Sequence, residues 1–99
     1  MARIFHCSLV TPEKAVFEGE VSYANVPAHD GQLGIMPNRA PMLMEIGQGL
    51  LRLTLADGSL ERYRLEGGFV QMDENRLTLL SERAEKASGG RAGGAGEAA

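Results

Sequence analysis

Apolar residues alternate with polar ones along most of this chain, and Gly, Pro, Asp and Asn interrupt the alternation at short intervals. A period of two places successive side chains on opposite faces of a strand, and no long apolar stripe of helical period competes with it. The pattern predicts nine short strands: Arg3 to Val10, Ala15 to Glu18, Glu20 to Val26, Gly31 to Ile35, Met42 to Ile46, Leu50 to Ala56, Leu60 to Glu66, Phe69 to Asp73 and Arg76 to Leu80. Such a chain is typical of an all-β sandwich or flattened barrel.

The sequence allows the strand register to be predicted for two hairpins, and the first of them turns at Asp57 to Ser59. A three-residue loop there pairs Leu51 with Leu65 and Leu53 with Tyr63, whereas a two-residue turn would mix arginines into the apolar face. The three-residue loop is therefore predicted.

The second such hairpin turns at Glu74-Asn75. A two-residue turn pairs Val70 with Leu79 and Met72 with Leu77, which gives one continuous apolar face.

The character of the chain changes after residue 80. The 99 residues, of which 43% are apolar, suit one domain with one core, and residues 1–80 are predicted to form it. Residues 81–87 (SERAEKA) are expected to be a short helical or irregular exit, and the Gly- and Ala-rich residues 88–99 a disordered tail, because so short a helix does not repay nucleation.

Charge and cysteine usage narrow the function. A net charge of −3 without a basic run argues against nucleic acid as a partner, and no apolar run is long enough to insert into a bilayer, so a soluble, cytoplasmic protein is expected. The single Cys7 supports neither a disulfide scaffold nor a zinc site. Because Cys7 alternates with Phe5 and Leu9, it is predicted to point inward.

Signatures of catalysis are weak in this sequence. Phosphate-cradling, acyl-transfer and zinc-hydrolase motifs are missing, and His6 and His29 have no ligand-like spacing. We expect no enzyme activity, no cofactor, no metal site and no small-molecule substrate. Two alternatives stay open from the residues: a free-standing β-sandwich that binds a ligand or peptide, and a small hydrolase that uses exposed carboxylates.

The most specific motif runs from Asp30 to Pro41 (DGQLGIMPNRAP), a short strand between a glycine turn and two prolines. It resembles the EGELGI-x-P-x-HAP signature of the epsilon subunit of F-type rotary ATP synthases, the delta subunit of the mitochondrial enzyme. Four further pieces match that family in order: TPEKAVFEGEV from Thr11, IGQGLLRL from Ile46, EGGFV from Glu66 and LTLLSERAE from Leu77. On these residues the chain is identified as a member of the family, in a short form without its C-terminal helical hairpin.

The resemblance implies a ten-stranded sandwich in the rotating central stalk, held by the gamma subunit and resting on the ring of c subunits at the cytoplasmic face of the membrane. It implies a c-ring contact at Asp30, Gly31 and Gln32. It implies a gamma contact at Thr11, Arg39, Pro41, Met42, Leu43 and Met44. Gln32 stands where the family commonly has an acid, and Arg39 where it commonly has a histidine. Consecutive apolar side chains from Met42 to Met44 point to both faces of one strand, so at least one of them is expected outside the core.

Overall fold

The computed structural model describes residues 3–90, and within that range the chain has nine β-strands and no helix, so none that is long and apolar enough to cross a bilayer. The strands are β1 (Phe5–Val10), β2 (Ala15–Ala28), β3 (Gly31–Ile35), β4 (Met42–Glu45), β5 (Gln48–Leu55), β6 (Leu60–Glu66), β7 (Phe69–Asp73), β8 (Arg76–Leu80) and β9 (Arg83–Gly90). They pair in the order β4-β7-β8-β1-β2-β5-β6-β9, and β3 pairs with β2. The all-β prediction is confirmed, with nine strands described where the resemblance implies ten.

The long strand β2 connects the two halves of this sheet. Its register shifts between Val21 and Tyr23, and such an irregularity bends a strand. Its first half pairs with β1, and its second half pairs with β3 and β5. The strands predicted before and after Gly19 are therefore one strand. Gly19 pairs with Cys7 and continues the ladder, and the Phe17 ring lies beside Gly19 where a side chain would otherwise project.

One hydrophobic cluster fills the space between the two halves of the sheet. It is built from the inward-facing residues of the strands, and it includes Phe5, Leu51, Leu65, Met72 and Leu79. Cys7 is fully buried in this cluster, as its alternation with Phe5 and Leu9 predicts. The opposite side of each half of the sheet is left facing outward.

The β7–β8 hairpin has the predicted register. Val70 lies opposite Leu79 and Met72 opposite Leu77, and the turn residues Glu74 and Asn75 have φ angles of 50° and 59°. Positive φ at both central positions is the signature of a type I′ turn, whose twist matches that of the strands.

The β5–β6 hairpin differs from its prediction by two residues. Leu51 faces Tyr63 and Leu53 faces Glu61, because the loop begins one residue earlier and the Leu55 N–H donates to the Ser59 carbonyl at 2.8 Å. A shift of two residues preserves which side chains point inward, so the predicted apolar face is retained.

The exit after residue 80 is a strand, so the helical or irregular prediction for residues 81–87 was wrong. β9 pairs with β6 from Arg83 to Gly90, and Ala84 packs against the core. The open edge of β6 supplies hydrogen-bond partners that an isolated helical turn lacks, and this tertiary pairing outweighs local propensity. Residues 88–90 of the predicted tail belong to this strand; residues 91–99 lie outside the described residues.

Candidate docking surface

Three large apolar side chains stand on the outer face of the β4-β7-β8-β1 half of the sheet. Leu43 is 67% exposed, Phe69 is 54% exposed and Leu80 is 53% exposed. Phe69 lies opposite Leu80, and Leu80 lies opposite the half-buried Val10 of β1, so these three form one row across three strands. Leu43 is diagonal to Phe69 on the neighbouring strand β4, within reach of a large side chain.

An open cleft of about 430 Å³ lies beside this row. Its apolar walls are Val10, Pro12, Phe69 and Leu80. We call these four residues together with Leu43 the apolar patch. A surface of this kind, rimmed by polar groups, binds apolar side chains of a partner protein, because contact removes exposed apolar area from water.

The predicted gamma-facing residues do not all lie at the apolar patch. Leu43 belongs to it, and Thr11 lines its cleft, where a hydrogen bond from the Thr11 N–H to the Lys14 carbonyl (2.9 Å) closes the β1–β2 turn. Met42 and Met44 are half-buried and pack against the core from the other face of β4.

Arg39 and Pro41 are exposed at the far end of β4. The preceding residue, Asn38, is tied to the β7–β8 turn, since its backbone N–H donates to the Asn75 side chain at 2.6 Å and the Asn75 amide donates back at 2.9 Å. Arg39 donates to the Met42 sulfur at 3.2 Å. Arg39 and Pro41 therefore lie away from the cleft.

The predicted c-ring residues form an exposed turn. Asp30 lies in the turn between β2 and β3, and Gly31 and Gln32 are the first residues of β3; all three are exposed, and Gly31 has a φ of 130°, which favours glycine. The backbone of Glu45 links this turn to the apolar patch: Glu45 pairs with Phe69, and its carbonyl accepts the His29 N–H at 3.2 Å. The turn and the patch therefore adjoin.

Phe69 and Leu80 are absent from the predicted site residues. The signal that identifies them is the register of the β7–β8 hairpin, since a pairing of Val70 with Leu79 on the inner face requires Phe69 and Leu80 to pair on the outer face. Sequence reasoning used this hairpin only to assign the core.

His6, Ser8 and Glu18 on the same outer face are not arranged as a nucleophile with its base. His6 Nε2 lies 3.2 Å from Glu18 Oε2, and the Ser8 hydroxyl donates to the same Glu18 oxygen at 3.2 Å. The hydroxyl is thus bound to the acid and not to the imidazole, whereas an activated nucleophile hydrogen-bonds to its base. Within residues 3–90 no three His, Cys, Asp or Glu side chains come together as a metal site.

Sequence comparison identifies the family. Residues 4–87 match the family model for the ATP synthase, Delta/Epsilon chain, beta-sandwich domain. The ATP synthase epsilon chain of Desulfitobacterium hafniense (strain DSM 10664 / DCB-2) is 36% identical over 85 residues, which cover 86% of this chain and 64% of the relative. The epsilon chain of Chlorobium limicola is 39% identical over 80 residues, which cover 81% of this chain and 91% of the relative.

Solved structures share the fold. A chain in the cryo-EM structure of the Euglena gracilis mitochondrial ATP synthase superposes with a TM-score of 0.78 at 16% identity, over 87% of this chain and 54% of that one. A chain in the Tetrahymena thermophila mitochondrial ATP synthase central stalk and c-ring gives a TM-score of 0.66 at 19% identity, over 80% of this chain and 63% of that one. With the family model matched over residues 4–87, this chain belongs to the ATP synthase delta/epsilon chain β-sandwich family.

Proposed function

We propose that this chain is a non-catalytic rotor subunit of an F-type ATP synthase, which couples gamma to the c ring during proton- or sodium-driven ATP synthesis. In this role it lies peripherally at the cytoplasmic face of the membrane as part of the complex. The observation that carries the proposal is the apolar patch on a domain of this family, because large exposed apolar side chains in one row are costly to leave in water.

The apolar patch is the proposed centre of the gamma contact. Phe69 and Leu80 form its central pair, and Leu43, which is the most exposed of the three, extends it across β4. Thr11 provides a polar group at the rim of the cleft. Arg39, Pro41, Met42 and Met44 complete the gamma-facing set that the family resemblance implies, with the two methionines supporting Leu43 from inside.

The exposed turn of Asp30, Gly31 and Gln32 is the proposed c-ring contact. Its polar side chains suit the polar loops of a membrane-embedded ring, and its position beside Glu45 places it next to the apolar patch. A rigid domain that holds gamma at one surface and the ring at an adjoining one transmits torque between them without a catalytic step.

The gamma contact is tested by a matched pair of double variants. Phe69→Ser with Leu80→Ser removes the central pair of the apolar patch, and Gln71→Ser with Thr78→Ser changes the neighbouring cross-strand pair on the same face. Burial of two such apolar side chains is worth about 3 kcal/mol or more, so the first variant should bind gamma at least about a hundredfold more weakly. The second should bind it normally. Undiminished binding by the first variant, or equal loss by both, would contradict the gamma contact.

The c-ring contact is tested by cross-linking in the assembled complex. A Gln32→Cys variant should form a cross-link to the c subunit, while Ser59→Cys in the β5–β6 connection should not. The native Cys7 adds no background because it is buried. Cross-linking from position 59 but not from position 32 would reject the proposed orientation.

A further inference from the structure

The second outer face of the sheet, formed by β2, β5 and β6, carries a row of basic and polar groups. Asn25 lies opposite Arg52, and Arg52 lies opposite Arg62. Arg52 is exposed and Arg62 is half-buried. Side chains directly opposite on one face have Cβ atoms roughly 5 Å apart, and like charges in such a pair destabilise the sheet.

Some other charged residues on this face lie opposite a residue of the opposite charge on the neighbouring strand, but Arg52 does not. Arg64 lies opposite Glu85, and Glu66 lies opposite Arg83. Among residues 3–90, the Arg52 guanidinium has no hydrogen-bond or ion-pair partner.

The uncharged side chains beside the arginines, Asn25 and Tyr23, are of the kind found in protein–protein interfaces. The Asn25 side-chain oxygen is buried and accepts no hydrogen bond. Tyr23 is 36% exposed, and its ring lies over Gly34, where an added Cβ would stand 2.3 Å from the tyrosine oxygen. Arg and Tyr are enriched where partner proteins bind most strongly, and a ring held in place loses little entropy on binding.

We propose that the outer face of β2, β5 and β6, centred on Arg52, Arg62 and Tyr23, is a second docking surface that binds an acidic segment of a partner protein. A carboxylate of the partner accepts hydrogen bonds from the guanidinium of Arg52, which has no such acceptor among residues 3–90. This surface is separate from the apolar patch, and the proposal does not depend on the rotor assignment.

Charge directs an acidic segment to this face and away from the other. The outer face that bears the apolar patch carries the exposed carboxylates Glu18, Glu20, Glu45 and Asp73. An acidic partner is repelled there and attracted to the arginine row, which gives the choice of face its specificity. The unpartnered Asn25 oxygen beside the arginines favours a protein ligand over a lipid surface, because each non-proline residue of a peptide carries an N–H donor.

The test uses the full chain and a hexaglutamate peptide followed by NMR titration at low ionic strength. Resonance shifts should centre on Tyr23, Asn25 and Arg52. Arg52→Gln should weaken binding about fivefold, the loss expected for one charged contact of about 1 kcal/mol. The matched control is Arg76→Gln on the other outer face, where Arg76 lies opposite Asp73 on the neighbouring strand. The control variant should change peptide binding less than about twofold. Thermal unfolding of both variants verifies that they remain folded.

Vesicles of phosphatidylglycerol form the second arm of the experiment. Vesicle binding that depends on Arg52 in the absence of hexaglutamate binding would overturn the proposal in favour of a lipid surface. Equal weakening of peptide binding by both arginine variants, or shifts that centre elsewhere, would also overturn it.

Discussion

Phe69 of β7 and Leu80 of β8 are direct cross-strand partners, and each is more than half exposed. Their sequence neighbours Val70 and Leu79 are also partners, and both are completely buried. One hairpin therefore supplies the core with one face and the proposed docking surface with the other. Substitutions on the outer face should change binding without unfolding the domain.

Leu43 and Met44 provide a sharp test of this separation, because they are adjacent on β4 and point in opposite directions. Leu43→Glu should keep the free energy of unfolding within about 0.5 kcal/mol of the native value and lose gamma binding. Met44→Glu should lower the free energy of unfolding by several kcal/mol, because the carboxylate enters the edge of the core. Urea unfolding and copurification with gamma measure the two effects. A folded Met44→Glu variant of native stability would show that Met44 does not support the core.

Gly68 should tolerate no side chain. Its φ is 106°, and an added Cβ would lie 1.9 Å from the Leu80 carbonyl oxygen, so Gly68→Ala forces the backbone of two strands apart. We expect a loss of more than about 3 kcal/mol. Gly58→Ala is the control: its φ is 91° but nothing lies within 4 Å, so strain alone should cost about 1 kcal/mol. Equal losses in chemical denaturation would contradict the role of the clash.

The period of two was sufficient to predict the fold class and the inward faces of the β5–β6 and β7–β8 hairpins. It predicted the buried Cys7 and the β7–β8 register, because a two-residue turn leaves only one pairing. It did not predict β9: the partner of that strand, β6, is distant in sequence, and the local residues favour a helix.

The candidate site was only partly accessible from sequence. Alternation shows that Leu43 and Met44 face opposite ways, but it does not say which of them is inside. That depends on Met72 and Val70 of β7, which pair with β4 and orient its inner face toward the core. Phe69 and Leu80 could have been identified in a similar way, because the register of the β7–β8 hairpin determines which of its residues face outward.

Alkaline pH should destabilise the domain through Cys7. Burial raises the pKa of its thiol from 9.0 to about 12, so the thiol is neutral in the folded state when the unfolded state begins to ionise. The stability contribution is complete below pH 9 and is lost as the pH rises toward 12. Burial and the hydrogen bond to Glu61 also raise the pKa of Tyr63, which acts in the same direction.

Urea unfolding between pH 8 and pH 10.5 measures this dependence. In the Cys7→Ala variant only the contribution of Tyr63 should remain, so the free energy of unfolding should fall less steeply as the pH rises. An unchanged slope in that variant, or rapid labelling of native Cys7 by a thiol reagent at pH 8, would contradict the buried neutral thiol.

Ser81 joins the connection before β9 to the β6–β7 turn. Its hydroxyl lies 2.8 Å from the Arg83 carbonyl, 3.0 Å from that of Gly67 and 3.3 Å from that of Glu66, and the residue is buried. Ser81→Ala should lower the free energy of unfolding by about 1–2 kcal/mol, because the hydrogen bond from the buried hydroxyl to a backbone carbonyl is lost. Ser59→Ala, whose hydroxyl donates to the exposed Asp57, should cost less than about 0.5 kcal/mol. Thermal or urea unfolding of both variants decides whether the buried hydroxyl matters more than the exposed one.

Truncation on either side of β9 should separate the strand from the residues that follow it. A chain that ends at Gly90 keeps all seven pairs between β9 and β6 and should match the full chain in stability and gamma binding. A chain that ends at Glu82 loses those pairs and the packing of Ala84, which we expect to cost more than about 3 kcal/mol. It also leaves β6 as an open edge, so it should associate at high concentration. Denaturant unfolding and analytical ultracentrifugation measure both effects. Native stability in the chain ending at Glu82 would show that β9 is dispensable, whereas loss of gamma binding on removal of residues 91–99 alone would assign those residues a part in docking.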